Sequence, residues 1–208
     1  MHALPKDTAQ AILPRLLALS GPRKLIAVAG PPGSGKSTVS AALCTALTAA
    51  GRSAAVVPMD GFHLDNAVLR QRGLLDRKGA PASFDADGFV QLVRRITSED
   101  SVIYPLFDRP RDLSIAGAAV LPTQTEFVIF EGNYLLLDDA PWRDLQSLWT
   151  LSIFINTPRA ELERRLLQRW LDAGMAPAQA QERRDTNDMP NADLVLTQGA
   201  DANLTISN

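Results

Sequence analysis

The chain has 208 residues, 46% of them apolar and 21% charged, with a formal net charge of −2. Those values describe a globular protein able to bury its own core, excluding a disordered chain, and the missing basic excess argues against nucleic acid as the main partner. No apolar run approaches the roughly 20 residues that span a bilayer, and the first residues lack a secretory-signal pattern, so a cytoplasmic protein without a membrane partner is expected.

In chain order, residues 7–20 place Ala11, Ile12, Leu16 and Leu19 on one side, predicting a helix disturbed at Pro14. LIAVAG at 25–30 reads as a buried strand: short, continuously apolar and ended by glycine. A helix from about Gly35 to Ala50 follows, closed by Gly51, with Cys44 on its apolar face as a core residue. AAVVPMD at 54–60 is a second buried strand, 66–71 a short helix, and 73–84 an irregular polar loop. Asp85 stands where it would cap a helix through about Ile96, since Phe89, Leu92, Val93 and Ile96 recur at helical spacing.

Strands are expected at 101–108 and 118–122 around the loop RPRDLSIAG, and EFVIFEG at 126–132 is the strongest buried strand of the chain. LSIFIN at 151–156 is another, and Pro158 beyond it suits the first turn of a helix running to about Asp172. A helix over 178–186 and strands ADLVLT and NLTIS complete the reading, with no repeat and no linker across 1–208, hence one domain. Buried strands alternating with helices give an α/β fold: a mostly parallel sheet covered on both faces.

GPPGSGKS at 30–37 satisfies G-x-x-x-x-G-K-[ST] between a predicted strand and a helix, the context in which this pattern holds nucleotide phosphates. The backbone of Gly30, Pro31, Pro32, Gly33, Ser34 and Gly35 turns its N–H groups around the anion, and the following helix aims its positive end at it. Lys36 would reach the β and γ phosphates, Ser37 would place a hydroxyl on Mg²⁺, and Thr38 would contact an inner phosphate.

Two carboxylates end buried strands. Glu131, at the end of FVIFEG, is placed to face the metal and its waters, or else is merely solvated. Asp60, in PMDGFH, lies beyond a strand's carboxyl end, where an open α/β sheet puts its ligands. It can take the proton of an attacking hydroxyl, or cap a turn. His63, three residues on, either touches the acceptor or is a satisfied structural histidine.

AGPPGSGKST, MDGFH, RKGAPASFD, YPLFDR, FEGNYLLL and NDMPNADLV together resemble the P-loop small-molecule kinases that include uridine kinase, pantothenate kinase and phosphoribulokinase. Within that group the chain is similar to the compact bacterial branch described as fructose transport system kinases. The resemblance covers about residues 23–197 and implies a three-layer P-loop fold with a five-stranded parallel core, ATP with Mg²⁺, and a helical lid over roughly 159–187. It implies Asp60 as the base and Glu131 near metal and substrate, with Asn133 beside it. Arg77, Lys78, Phe84 and Asp85 match the stretch that approaches the acceptor, and Tyr104, Asp108 and Arg109 a substrate-side hairpin. Uridine kinases usually carry histidine where Arg109 stands, which speaks against a nucleoside acceptor.

ELERRLLQRWLDAG matches the lid. Its Arg165 and Arg169 share a face, as a phosphoryl clamp or as a solvated surface with Glu161–Arg165 pairing. Asn187 and Asn191 would line the nucleotide base or cap a turn. Related kinases are often dimers or tetramers, so a homo-oligomer is compatible with the resemblance.

Three classes use such a loop. A regulatory GTPase needs N-K-x-D, which does not occur, and a nucleic-acid-driven ATPase needs a basic track, which is missing. A kinase needs a phosphate loop, a separate hydroxyl-activating carboxylate, an acceptor pocket and a lid, and the sequence offers all four. The expected activity is transfer of the γ-phosphoryl of ATP to a hydroxyl of a small metabolite, a sugar such as fructose, with a nucleoside or pantothenate as alternatives.

Overall fold

Leu25, Ile26, Ala27 and Val28 follow one another without a polar residue, and such a strand is stable only in a sheet covered on both sides. In the computed structural model, which describes residues 5–208, helix α1 (Pro5–Leu17) leads into β1 (Lys24–Ala29), helix α2 (Lys36–Ala49) and β2 (Ala54–Pro58). Helices α3 (Asn66–Gln71) and α4 (Ala86–Ser98) precede an antiparallel hairpin of β3 (Val102–Asp108) and β4 (Leu113–Leu121). Strands β5 (Phe127–Gly132) and β6 (Leu151–Asn156) then lead to α5 (Arg159–Asp172), α6 (Pro177–Arg183), α7 (Met189–Thr197) and β7 (Leu204–Ser207).

The main sheet has five strands in the order β2-β5-β1-β6-β7, and every pair is parallel. Alternate side chains of each strand feed opposite cores. Ile26, Ile129 and Ile153 pack against Leu16 of α1 and Leu43 and Leu47 of α2. Ala27, Val128 and Phe130 pack against Phe89 and Val93 of α4 and against Trp142. Each fully buried Leu, Ile or Phe contributes about 1.5–3 kcal/mol, so both helical layers are held firmly to the sheet. Among the described residues, no helix is long and apolar enough to cross a membrane.

The structure departs from the sequence reading at several elements. The second strand, at the edge of the sheet, ends at Pro58 rather than Asp60 and is mostly half-buried. ADLVLT is not a strand but the body of α7. Met189 and Ala192 pack on Leu162 and Leu166 of α5, with Leu196 against them, a helical stripe that the short apolar run disguised. The helices α6 and α7 are joined by a π-helical turn, Arg184–Asp188, which turns Asn187 and Asp188 inward to 2% and 7% exposure. In the hairpin, the loop is only residues 109–112. Strand β4 begins at Leu113, because Leu106 pairs with Ile115 after a register shift next to Pro105, which has no N–H to give the ladder. Pro158 stands at the N-cap of α5 rather than inside its first turn.

Candidate active site

The parallel register sets the site. Ala29 of β1 lies opposite Gly132 of β5, and Pro58 of β2 opposite Glu131, so all three strands end at one level. The phosphate loop leaves β1 there. Gly35 is the N-cap of α2 at φ +88°, a left-handed conformation that L side chains rarely adopt, and it turns the chain into the helix.

Ser37 Oγ donates to Glu131 Oε1 at 2.9 Å, and Lys36 Nζ lies 3.8 Å from the same oxygen. Burial holds the Lys36 amine below its ordinary pKa, while Glu131 and then Asp60 pull it back up. An arriving phosphate would meet a poorly hydrated ammonium, which strengthens the attraction.

Asp60 sits in the turn after β2, where its Oδ2 accepts from Arg109 Nη2 at 2.5 Å. Asp60, Glu131 and Lys36 line one open cleft. Pro32, Asn133, Arg169 and Asn191 line it too. Asn133 Oδ1 is buried with no partner among the described residues, an oxygen that a ligand hydroxyl would satisfy.

His63 is clamped between two rings, 4.1 Å from that of Phe84 and 4.6 Å from that of Phe107. Its Nδ1 lies 2.9 Å from the Asp60 carbonyl, so in the neutral ring Nδ1 donates and Nε2 is left as an acceptor. Burial lowers its pKa, opposed chiefly by Asp60, and so favours that neutral form.

Residues 77–79 form a junction. The Lys78 ammonium reaches Asn66 Oδ1 and the Asp112 carbonyl, both at 2.8 Å, and Asp112 Oδ2 at 2.9 Å. Arg77 donates to the Thr186 carbonyl at 2.5 Å and to Asn191 Oδ1 at 3.3 Å, and Asn187 Nδ2 to the Lys78 carbonyl at 2.9 Å. Tyr134 Oη closes on the Gly79 carbonyl at 2.5 Å. Thus Asn187 and Asn191 lie against the 77–79 turn rather than against the phosphate loop.

Other expected site residues are held elsewhere. Asp85 caps α4, its Oδ1 accepting from Gly88 N at 3.0 Å. Asp108 gives both carboxylate oxygens to Arg111, at 3.0 Å from its backbone N–H and 2.8 Å from its guanidinium. Tyr104 is buried beneath the hairpin, with its hydroxyl 3.4 Å from the Val56 carbonyl. On α5, Arg165 pairs with Glu161 at 2.7 Å and donates to the Gly33 carbonyl at 3.2 Å, bracing the phosphate loop. Arg169, one turn on, lines the cleft instead. Its side chain stays open to water although protein atoms surround it, and that surrounding lowers its pKa.

Four features have no counterpart in the sequence reading: the Arg109–Asp60 pair, the ring of Phe107, Arg183 stacked 5.3 Å from Trp170, and Asp188 accepting from Trp170 Nε1 at 2.5 Å. Phe107 alone had a usable signal, its place in the strand YPLFD two residues before Arg109.

A family model for the methylmalonyl-CoA mutase-associated GTPase MeaB matches residues 2–63, the segment carrying the phosphate loop and its two flanking strands. Similarity to complete chains reaches much further. YggC of Escherichia coli (strain K12) is 34% identical over 88% of this chain and 77% of its own length. The "putative uridine kinase" C227.14 of Schizosaccharomyces pombe is 36% identical over 83% of this chain and 78% of its own. The crystal structure of a "putative fructose transport system kinase" from Silicibacter sp. TM1040 matches with a TM-score of 0.90 and 49% identity over 98% of both chains. The chain belongs to the P-loop small-molecule kinases. As a P-loop kinase it is an ATP-dependent phosphotransferase acting on a small metabolite, and its sheet places the donor loop and both carboxylates at one edge.

Proposed function

We propose that this kinase transfers the γ-phosphoryl group of ATP in line onto a hydroxyl of a sugar or sugar-like polyol, with Asp60 as the base. One observation carries the reading: Lys36, Glu131 and Asp60 line the same cleft. The loop amides and Lys36 hold the donor phosphates. Arg169, which makes no hydrogen bond or ion pair among the described residues, is free to neutralise the transferring oxygens, while Arg165 keeps the loop in place.

Ser37 and Glu131 fit Mg²⁺: they offer hard oxygens, and among the described residues no cluster of three or more His, Cys, Asp or Glu competes as a metal site. Few protein ligands suit a cation held mainly by phosphate and water, whose bound charge would offset that of the β and γ phosphates. Asp60 accepts the proton of the acceptor hydroxyl as its oxygen bonds to phosphorus and the bridge to the β phosphate breaks, releasing ADP. Helices α5–α7 act as the lid that excludes water, the competing acceptor.

A polyol is favoured over a nucleoside because both Phe84 and Phe107 pack at a tilt against His63, so a nucleobase finds no free ring sandwich there. Fructose is the sugar in the name of the Silicibacter relative, whereas the Schizosaccharomyces name points to uridine. Acceptor-dependent ADP release across sugars, polyols, pantothenate and nucleosides tests the class. Asp60→Asn is expected to retain ATP binding and lose about 10²–10⁴ in turnover. Wild-type turnover in that variant would remove Asp60 from the chemistry.

A further inference from the structure

We propose that the acceptor carries an anionic group, a phosphate or a carboxylate, and that Arg109 is the residue that selects it. This deepens the kinase reading and rests on it for the position of the acceptor next to Asp60.

The cations around the cleft are not equally available. The Lys78 ammonium has three acceptors in the protein for its three N–H groups, and its side chain is only 9% exposed. Arg77 turns away to Thr186 and Asn191. Lys36 stands beside Glu131 on the donor side, and Arg169 and Arg183 belong to the helices proposed as the lid. Arg109 differs from all of these. It stands at the hairpin turn on the acceptor side with a side chain 71% exposed, and among the described residues its only partner is Asp60.

That pairing conflicts with the role of Asp60. While Arg109 Nη2 occupies Oδ2, part of the carboxylate is closed to an incoming hydroxyl. A neutral alcohol offers the guanidinium only a single uncharged acceptor in exchange. A phosphate or carboxylate on the acceptor does, because it can take two parallel N–H bonds from the guanidinium fork. The guanidinium side of the pair is 71% exposed and screened by water, so the exchange costs less than breaking a buried pair would. Binding the anion and freeing the base are then one event. His63 Nε2 remains nearby to accept from a second hydroxyl.

The test uses the full chain with Mg²⁺ and a non-hydrolysable ATP analogue, so that the donor site is filled. Matched probes are titrated calorimetrically: glycerol, glycerol 3-phosphate and glycerate; fructose, fructose 6-phosphate and gluconate; and inorganic phosphate as the bare group. At least one anionic probe is expected to bind tighter than its neutral partner, and the phosphate and carboxylate arms identify which group is read. Arg109→Met should erase about 10- to 100-fold of that preference with affinity for the ATP analogue unchanged. Arg109→Lys should keep part of it, since charge survives but the fork does not. The exposure of Arg109 makes both variants foldable, checked by their melting temperatures without ligand. Equal or tighter binding of neutral probes, a preference that survives in Arg109→Met, or no anion-dependent binding at all overturns the proposal. ADP release separates the two readings. Preferred transfer to a neutral sugar removes this inference and leaves the proposed transfer intact, whereas no transfer to any probe, neutral or anionic, counts against the proposed transfer on which the inference rests.

Discussion

Gly61 follows the proposed base, and a Cβ built on it would lie 2.3 Å from the Pro105 carbonyl oxygen in β3. Real Cβ atoms essentially never come closer than 3.0 Å, so in Gly61→Ala the backbone must yield by at least about 0.7 Å in a region packed at interior density. Neither side yields easily. The turn is held by the bonds from His63 to the Asp60 carbonyl, and Tyr104 beside Pro105 is buried in the core. Overpacking of this kind costs about 1–3 kcal/mol, or about 2–12 °C in melting temperature for a chain of this size. The hairpin carries Arg109 and Phe107, so the strain moves the acceptor side of the cleft relative to the phosphate loop. Misplacement near 1 Å can cost about 10²-fold in rate. Thermal denaturation and initial rates with ATP and acceptor varied separately should show a lower melting temperature, reduced kcat/KM for the acceptor and a KM for ATP within about twofold of wild type. Wild-type stability and acceptor kinetics would refute the claim that this approach fixes the site.

Three further outcomes are expected. His63 has a folded pKa below its ordinary 6.5, so below that pH the unfolded chain binds more protons and stability rises with pH until it levels near there. Urea titrations from about pH 5 to 7.5 should show this component in wild type and not in His63→Gln; equal slopes would contradict it. Lys36→Met removes an ammonium whose burial opposes its charge, so affinity for ATP should fall by at least about 10-fold with little change in melting temperature; a collapse of the fold would assign Lys36 a structural role. Arg77→Met unties the 77–79 turn from Thr186 and Asn191 at a cost of about 1–3 kcal/mol. The acceptor KM should rise more than the ATP KM, and equal changes would speak against the junction as an acceptor-side element.

By itself the sequence determined what local pattern can encode. Continuous apolar runs marked the buried strands, glycine spacing marked the phosphate loop, and a cap residue at Asp85 marked the start of α4, because each depends on neighbours a few residues away. It also placed Glu131 at the end of a buried strand and Asp60 near the end of another, where the structure sets it in the turn just beyond β2. The tertiary structure alone decided what those side chains meet. ADLVLT is a helix because Leu162 and Leu166 supply a surface for its helical face, and nothing within six residues separates that from a strand. Lys78 is tied down by Asn66 and Asp112, Asn187 by the Lys78 carbonyl, and Arg109 stands against Asp60 across 49 positions of chain. A charged or amide group takes whichever partner the fold brings within about 3 Å, and that partner is set by the packing of distant elements, which no short stretch of sequence contains.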